Sequence, residues 1–396
     1  MINEKMYALG AKRSEIRELF EYGLKRKAAI GVENVYDFSL GNPNVPAPQE
    51  VTDGLYSLLD EIPAEKLHAY TSAQGDAAVR EAIINYINKE HGVDYSKDSL
   101  YMSMGAAAAL SASLGAVVSP GEEVILLAPY FPEYKVFVEA AGGVVVEVMC
   151  DPVSFKPDVD AIGAAITDKT AAIIVNSPNN PTGAVYGKES ITALSDVLRA
   201  AEEKYEKPIY IIADEPYREL VWGDAAVPFI PKYYNDTIVC YSYSKSISLP
   251  GERIGYVLVP PTVTEAGRVY AAVCGCGRSL GYVCAPSMLQ KLVPYCLGKT
   301  SDLTVYDRNR KILLEELSSY GFTLVKPEGA FYLFMRSPIE SAKEFCEAAK
   351  KHEILIVPSE SFGCPGYVRI SYCVSTEEIT RALPAFKNLA KDFGLC

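Results

Sequence analysis

Short, continuous apolar runs that alternate with amphipathic segments constrain the fold of this chain most strongly. Residues 171–176, AAIIVN, form one such run. Strands are predicted at 123–128, 144–149, 171–176, 208–213, 237–242 and 255–259. Helices are predicted around them at 75–90, 105–117, 132–141, 158–166 and 188–205. Runs that are apolar throughout belong to strands buried on both faces, so the pattern predicts an α/β fold with a mostly parallel central sheet flanked by helices.

The last hundred residues follow a different pattern. A helix over about 301–319 precedes the strands predicted at 322–325, 330–335, 354–357 and 367–372, with a helix between the second and the third. This order predicts a smaller α+β domain. The N-terminal part is predicted to hold an amphipathic helix at about 11–30 and a short strand that ends at Gly41. The expected division is 1–45 packing with the small domain, 46–290 as the large domain and 291–396 as the small domain.

Composition narrows the classes of function. The 396 residues carry a net charge of -12, which disfavours nucleic acid and anionic membranes as partners. The chain starts with a polar segment, and its ten cysteines are scattered. We therefore expect a cytoplasmic protein with reduced cysteines. None of the three histidines, His68, His91 and His352, lies near another ligand type at the spacing of a metal site, and no metal site is predicted.

A lysine surrounded by hydroxyl groups follows the strand predicted at 237–242. Lys245 ends the segment YSYSK, and Arg253 comes eight positions later. Hydroxyl groups and an arginine suit a phosphate, whereas a lysine beside them suits an imine with an aldehyde. A small molecule that carries both groups is pyridoxal 5′-phosphate (PLP).

Other polar residues follow neighbouring predicted strands. Asn180 comes after 171–176 and Asp214 directly follows 208–213, at the strand ends where open parallel sheets bind their ligands. Asp214 suits a protonated pyridine nitrogen, and Tyr217 suits the ring oxygen. A turn cap and a core tyrosine are the structural alternatives. Arg369 lies within an apolar strand and needs an anion, either a substrate carboxylate or an internal salt bridge.

Together these motifs resemble the class I/II aminotransferases, the fold-type I PLP enzymes typified by aspartate aminotransferase. The matching segments run in the family's order over nearly the whole chain: NPTG at 180–183, DEPY at 214–217 and SYSK at 242–245 with Arg253. The spacings of 34 residues from Asn180 to Asp214 and 31 from Asp214 to Lys245 are similar to those of the family. The resemblance also suggests a cis bond before Pro181.

The resemblance implies roles around the cofactor. Lys245 would form the internal imine and shuttle the α-proton, and Asp214 would pair with the pyridine nitrogen. Tyr217 and Asn180 would hydrogen-bond the ring oxygen. The phosphate would be bound by Ser242, Arg253 and the amides of Ala106 and Ala107, which open an alanine-rich helix.

The resemblance also implies roles toward the substrate and a second subunit. Phe131 falls where the family stacks an aromatic ring on the cofactor, and Tyr70 falls where a neighbouring subunit's tyrosine reaches the phosphate, which implies a homodimer with shared active sites. Gly41 and Arg369 would bind the α-carboxylate with help from Asn180. Arg278 is a candidate for a side-chain carboxylate, although its register is offset and a surface arginine is an equal alternative.

Three functions follow from this sequence. The first is a PLP-dependent aminotransferase that moves an amino group from an L-amino acid to a 2-oxo acid, with aspartate or glutamate favoured and a broad or aromatic range also fitting the tyrosines. The second is a C–S β-lyase of the same fold, since the motifs bind the cofactor and not the leaving group. The third is a non-enzymatic PLP sensor or transcription regulator, which the acidic charge disfavours.

Overall fold

The computed structural model describes residues 2–11 and 15–396. The helices are α1 (Glu4–Ala11), α2 (Glu15–Ile30), α3 (Gln49–Glu61), α4 (Ala64–Leu67), α5 (Ala77–His91), α6 (Gly105–Val117), α7 (Glu133–Ala140), α8 (Val159–Ala165), α9 (Lys188–Tyr205), α10 (Tyr243–Ser246), α11 (Ala266–Ser279), α12 (Ser287–Cys296), α13 (Thr304–Ser319), α14 (Ala342–Lys350) and α15 (Thr376–Asp392). The strands are β1 (Tyr36–Asp37), β2 (Leu100–Ser103), β3 (Glu123–Ala128), β4 (Val144–Met149), β5 (Thr170–Asn176), β6 (Tyr210–Asp214), β7 (Thr237–Ser242), β8 (Gly255–Leu258), β9 (Leu324–Val325), β10 (Tyr332–Arg336), β11 (Ile354–Leu355), β12 (Val357–Pro358) and β13 (Tyr367–Ser371).

A seven-stranded sheet forms the centre of the structure, in the order β2-β8-β7-β6-β5-β3-β4. Strand β8 is antiparallel to both of its neighbours, and the other adjacent strands are parallel. The prediction of a mostly parallel sheet flanked by helices is therefore confirmed. Because Asn176 pairs with Asp214 and Asp214 pairs with Cys240, the carboxyl ends of β5, β6 and β7 lie side by side.

The central sheet is buried on both faces. Along β5, Ile173 and Val175 pack into one hydrophobic cluster, whereas Ala172 and Ile174 pack into another. Successive side chains of a strand point to opposite faces, which explains why the run is apolar throughout. Each fully buried isoleucine contributes about 1.5–3 kcal/mol, so these strands fix the scaffold on which the polar loops are mounted.

The C-terminal part is built on a smaller antiparallel sheet, in the order β12-β13-β10-β9. Its core includes Tyr306 and Phe386, whereas Leu292 and Cys296 of α12 pack with the core of the central sheet. Strand β1 pairs in parallel with β11, which joins the N-terminal segment to this part. The division into a large and a small domain, with its bounds, stays a prediction.

Several elements were not predicted. The predicted helix at 11–30 corresponds to α2 together with residues 12–14, which lie outside the described residues. Helix α11 was missed because glycines make a helix unfavourable in isolation. In the structure it packs on α6 and β2, where a Cβ on Gly277 would clash with the Tyr101 hydroxyl, so the small residue permits close packing.

In the described part of the chain, no helix is both long and apolar enough to cross a bilayer.

Candidate active site

A cavity of about 290 Å³ lies at the carboxyl ends of β5, β6 and β7, and the small sheet closes it from the other side. Residues of the central sheet and its loops reach it, as do Tyr332 of β10 and Arg369 of β13. The cavity brings together most of the candidate residues from the sequence: Gly41, Ala106, Ala107, Phe131, Asn180, Asp214, Tyr217, Ser242, Lys245, Arg253 and Arg369.

Asp214 is the last residue of β6, and its side chain lines the cavity. Its side chain is buried, and Oδ2 accepts hydrogen bonds from the Tyr134 hydroxyl at 2.5 Å and from Asn176 Nδ2 at 3.4 Å. Oδ1 is buried without a hydrogen-bond partner among the described residues. Burial raises the pKa of this carboxyl to about 7, although the Tyr134 hydrogen bond acts to lower it. Asp214 therefore presents one free acceptor inside the protein.

Lys245 lies in the short helix α10, directly after β7. Its Nζ donates a hydrogen bond to the carbonyl oxygen of Gly41 at 2.6 Å and lies 5.5 Å from the centre of the Phe331 ring. Burial lowers the pKa of this amine to about 8, and the positive charges of Arg253 and Arg369 act in the same direction. An amine with this pKa is partly neutral near pH 8, which suits a nucleophile or a base.

Arg369 is fully enclosed in β13, with 2% of its surface exposed. Its guanidinium donates to Asn180 Oδ1 at 3.0 Å and to the carbonyl oxygen of Ser39 at 2.6 Å, while Nε is buried without a partner among the described residues. Asn180 precedes a cis bond to Pro181, as the sequence suggested. None of the ion pairs of the described chain includes Arg369, so the alternative of an internal salt bridge receives no support.

The other end of the cavity is lined by the first turn of α6. Met104 at the N-cap of this helix supplies no side-chain acceptor to the amides that open it, and Ala106 and Ala107 face the cavity. Gly105 has a φ of 79°, and a Cβ there would lie 2.8 Å from Nη2 of Arg253. Ser242 Oγ lies 2.7 Å from Ser244 Oγ. This end combines uncapped amides, hydroxyl groups and a guanidinium, the groups that bind a phosphate.

Aromatic side chains cover the space between the two ends. Phe131 lines the cavity and packs edge-on against Tyr134, with the ring centres 5.7 Å apart. The hydroxyl groups of Tyr217 and Tyr332 lie 2.9 Å apart, and both tyrosines are buried. The cavity is therefore lined by aromatic side chains in its middle and by charged side chains at its ends.

Two candidate residues lie elsewhere on the chain. Tyr70 is 87% exposed, and Arg278 is exposed in the last turn of α11; neither lines the cavity. A single chain thus does not bring these two residues to the site.

Sequence reasoning missed three residues that support the site: Tyr134, Asn176 and Tyr332. Tyr134 follows Phe131 by three positions on the first turn of α7, so helical spacing from Phe131 was an available signal. Asn176 ends β5 beside Asp214 in the sheet, which strand alignment could have revealed. Tyr332 follows Phe331 in an apolar strand, and nothing in the sequence distinguishes it from a core tyrosine.

Comparison with known proteins agrees with this arrangement. Residues 33–386 match the family model described as aminotransferase class I and II. The chain is 31% identical to a probable aspartate/prephenate aminotransferase of Aquifex aeolicus, covering 93% of this chain and 94% of that one. It is 30% identical to an aspartate aminotransferase of Thermotoga maritima, covering 94% of this chain and 96% of that one.

Solved structures are similar over the same length. An amino transferase from Eubacterium rectale has a TM-score of 0.97 and 53% identity, covering 100% of this chain and 99% of that one. The aspartate aminotransferase from Thermus thermophilus with maleate has a TM-score of 0.87 and 28% identity, covering 98% and 99%. The chain therefore belongs to the class I and II aminotransferase family and is a transaminase.

Proposed function

We propose that this transaminase holds PLP in the cavity and uses Lys245 to transfer an amino group from an L-amino acid to a 2-oxo acid. One observation carries the proposal: four charged side chains line the cavity, and none has an ionic partner among the described residues. They are Asp214, Lys245, Arg253 and Arg369. Asp214, Lys245 and Arg369 are enclosed by the protein, whereas Arg253 is exposed at the edge of the cavity. Charges that lack an ionic partner and line one cavity favour a charged ligand, and PLP with an amino acid carries the complementary charges.

The residues present fit PLP at both ends. The free Oδ1 of Asp214 can accept a hydrogen bond from a protonated pyridine nitrogen, and the resulting ion pair would offset the burial of the carboxylate. The uncapped amides of Ala106 and Ala107, with Ser242 and Arg253, fit the phosphate. Phe131 supplies an aromatic face for the pyridine ring of PLP, and Tyr217 supplies a hydroxyl group for the ring oxygen.

When bound, PLP supplies an electron sink for the charge that develops at the substrate α-carbon. Lys245 supplies the amine that moves the proton. Because burial lowers its pKa to about 8, Nζ is partly neutral near that pH and could accept a proton from the α-carbon and return it. The bond from Nζ to the Gly41 carbonyl orients the amine, and Asp214 would hold a proton on the pyridine nitrogen of bound PLP.

Arg369 is the proposed clamp for the substrate α-carboxylate. The bonds to Asn180 and to the Ser39 carbonyl hold the guanidinium in one orientation, which leaves its remaining N–H groups for a carboxylate. Because Arg369 is buried, a matched carboxylate would be bound strongly, and a neutral group would leave its N–H groups unpaired.

Aspartate or glutamate is the proposed amino donor. The names of the A. aeolicus and T. maritima relatives support aspartate, and the T. thermophilus enzyme was solved with maleate, a dicarboxylate. Among the described residues, however, no cation of this chain remains in the cavity for a second carboxylate. We therefore propose a homodimer in which exposed Tyr70 and Arg278 reach the site of the other copy.

Two further points complete the proposal. None of the ten cysteines is paired, which supports a reducing compartment, and we propose the cytoplasm. The C–S β-lyase that the motifs allow is not favoured, because the relatives described above are aminotransferases.

The test follows the absorption spectrum of the purified protein with PLP, before and after addition of aspartate. We expect a visible band that aspartate bleaches, with stoichiometric release of oxaloacetate. Lys245→Ala should abolish turnover while PLP still binds, and Lys311→Ala, an exposed lysine of α13, should leave the rate unchanged. Normal turnover in Lys245→Ala would refute the role of the amine, and a band insensitive to aspartate would refute the proposed donor.

A further inference from the structure

We propose that Tyr332 is a positioning residue that acts through Tyr217 to set the protonation of the bound cofactor, an inference that rests on the proposed function. Tyr332 begins β10 in the small sheet, whereas Tyr217 follows β6 of the central sheet. Their hydroxyl groups lie 2.9 Å apart, inside hydrogen-bond distance. Tyr332 of the small sheet thus lies within hydrogen-bond distance of Tyr217, which is proposed to contact the cofactor.

The surroundings leave the pair little freedom. Tyr217 is 5% exposed and Tyr332 is 2% exposed, and their rings meet edge-on with centres 5.8 Å apart. The ring of Phe331 packs against both, at 5.4 Å from Tyr217 and 5.0 Å from Tyr332. Aromatic pairs in this geometry are stabilised beyond their burial, so the packing of the rings fixes the positions of the two hydroxyl oxygens.

The absence of a side chain at position 41 makes room for the Tyr332 hydroxyl. A Cβ on Gly41 would clash with the Tyr332 oxygen, and its nearest contact after Tyr332 would be Phe331 at 3.2 Å. The guanidinium of Arg369 lies 4.6 Å from the centre of the Tyr332 ring. Tyr332 therefore has two contacts of different kinds: its ring supports the proposed carboxylate clamp, and its hydroxyl group supports Tyr217.

The direction of the hydrogen bond follows from the number of protons. Each hydroxyl group has a single proton to donate. When Tyr217 donates its proton to the anionic ring oxygen of PLP, its own oxygen can only accept, and Tyr332 must be the donor. A hydroxyl group that accepts a hydrogen bond becomes a stronger donor. Tyr332 would in this way strengthen the bond from Tyr217 to the cofactor.

The chain offers variants that separate the two contacts of Tyr332. Tyr332→Phe keeps the ring beneath Arg369 and removes only the hydroxyl group. Tyr217→Phe removes the group through which it acts. Tyr372→Phe is the matched control, because that buried hydroxyl group bonds to the Ala330 carbonyl, at 3.1 Å, and to Trp222, outside the cavity.

The measurement is the pH titration of the visible absorption band of bound PLP, which needs no turnover. Donation to the ring oxygen stabilises the deprotonated form, where the negative charge is uncompensated, so weaker donation raises the pKa of the chromophore. We expect Tyr332→Phe to raise this pKa by about 0.5–1 unit and Tyr372→Phe to leave it unchanged. In the Tyr217→Phe background, the added Tyr332→Phe should shift it no further.

The outcomes distinguish this inference from the proposed function. If the wild-type protein shows no visible band of bound PLP, the proposed function fails, whereas a band that is present but does not change with pH would refute the role of Tyr332 in setting protonation. If the band is present and Tyr217→Phe shifts it but Tyr332→Phe does not, the role of Tyr332 is refuted. An equal shift by Tyr332→Phe in both backgrounds would also refute action through Tyr217. A weaker affinity for amino acids in Tyr332→Phe would show that the hydroxyl group acts on the substrate instead.

Discussion

Replacing Asp214 by Asn should stabilise the protein without cofactor at alkaline pH. Burial raises the pKa of the Asp214 carboxyl from its ordinary 3.8 to about 7, and only 5% of the residue is exposed, so solvent screens little of the effect. One pKa unit corresponds to about 1.36 kcal/mol, so the ionised carboxylate costs the folded apoprotein about 4 kcal/mol well above pH 7. Because the pKa is raised on folding, this cost is absent below about pH 4 and complete above about pH 8. Because an amide does not ionise, the Asp214→Asn variant does not carry this cost.

Urea unfolding of the apoprotein at about pH 5 and pH 8 measures the effect. The free energy of unfolding of Asp214→Asn, relative to the wild type, should rise by roughly 2–3 kcal/mol between these pH values. Asp196→Asn, at an exposed aspartate of α9, controls for the substitution itself. Saturating PLP should reverse the order at pH 8, since the pyridine nitrogen pairs with the carboxylate but not with the amide.

A stability difference that stays constant between these two pH values would refute the reasoning. It would mean that Asp214 carries its charge in the folded apoprotein at no net cost. If the difference in free energy of unfolding grows with pH but PLP does not change it, the buried charge of Asp214 would be supported. Its pairing with the cofactor would be rejected.

Two further substitutions test the two ends of the cavity. Gly105→Ala adds a Cβ at a positive φ and into a guanidinium 2.8 Å away, so the affinity for PLP should fall roughly tenfold by fluorescence titration. Gly92→Ala has a similar backbone strain at φ 61° with no neighbour within 4 Å, and it should leave PLP affinity unchanged; equal losses in both would reject a phosphate site at α6. Arg369→Lys keeps the charge but loses the planar fork, so KM for the amino donor should rise about 10- to 100-fold in steady-state kinetics. Arg336→Lys, at an exposed arginine of the same sheet, should not change KM, and an unchanged KM in Arg369→Lys would exclude the proposed clamp.

The parts of the fold and site that the sequence predicted share a local signal. Continuous apolar runs reveal strands buried on both faces, and a polar residue at the end of such a run falls at the carboxyl edge of the sheet. Asp214 and Lys245 were found in this way. The glycines of α11 hid a helix, because its stability depends on close packing against α6 and not on propensity.

Supporting residues were harder to predict because their partners are distant in the chain. Tyr134 bonds to a carboxylate 80 positions away, and Tyr332 bonds to a hydroxyl group 115 positions away. A buried tyrosine with a partner and an ordinary core tyrosine have the same sequence signature. Only the tertiary structure shows which carboxylate or hydroxyl group each one meets.

The positions of the proposed base and of the proposed clamp depend on bonds between the two sheets. Asp214 ends β6 of the central sheet and Lys245 directly follows β7 of that sheet, whereas Arg369 and Tyr332 belong to the small sheet. The bond from Arg369 to Asn180, at 3.0 Å, and the pair formed by Tyr332 with its partner hydroxyl group, at 2.9 Å, cross this boundary. A displacement of about 1 Å between catalytic groups reduces rates about 100-fold, so these crossing bonds contribute to rate as well as to stability. Variants that break them should therefore lose more in kcat than in cofactor affinity, because PLP is proposed to bind to the central sheet.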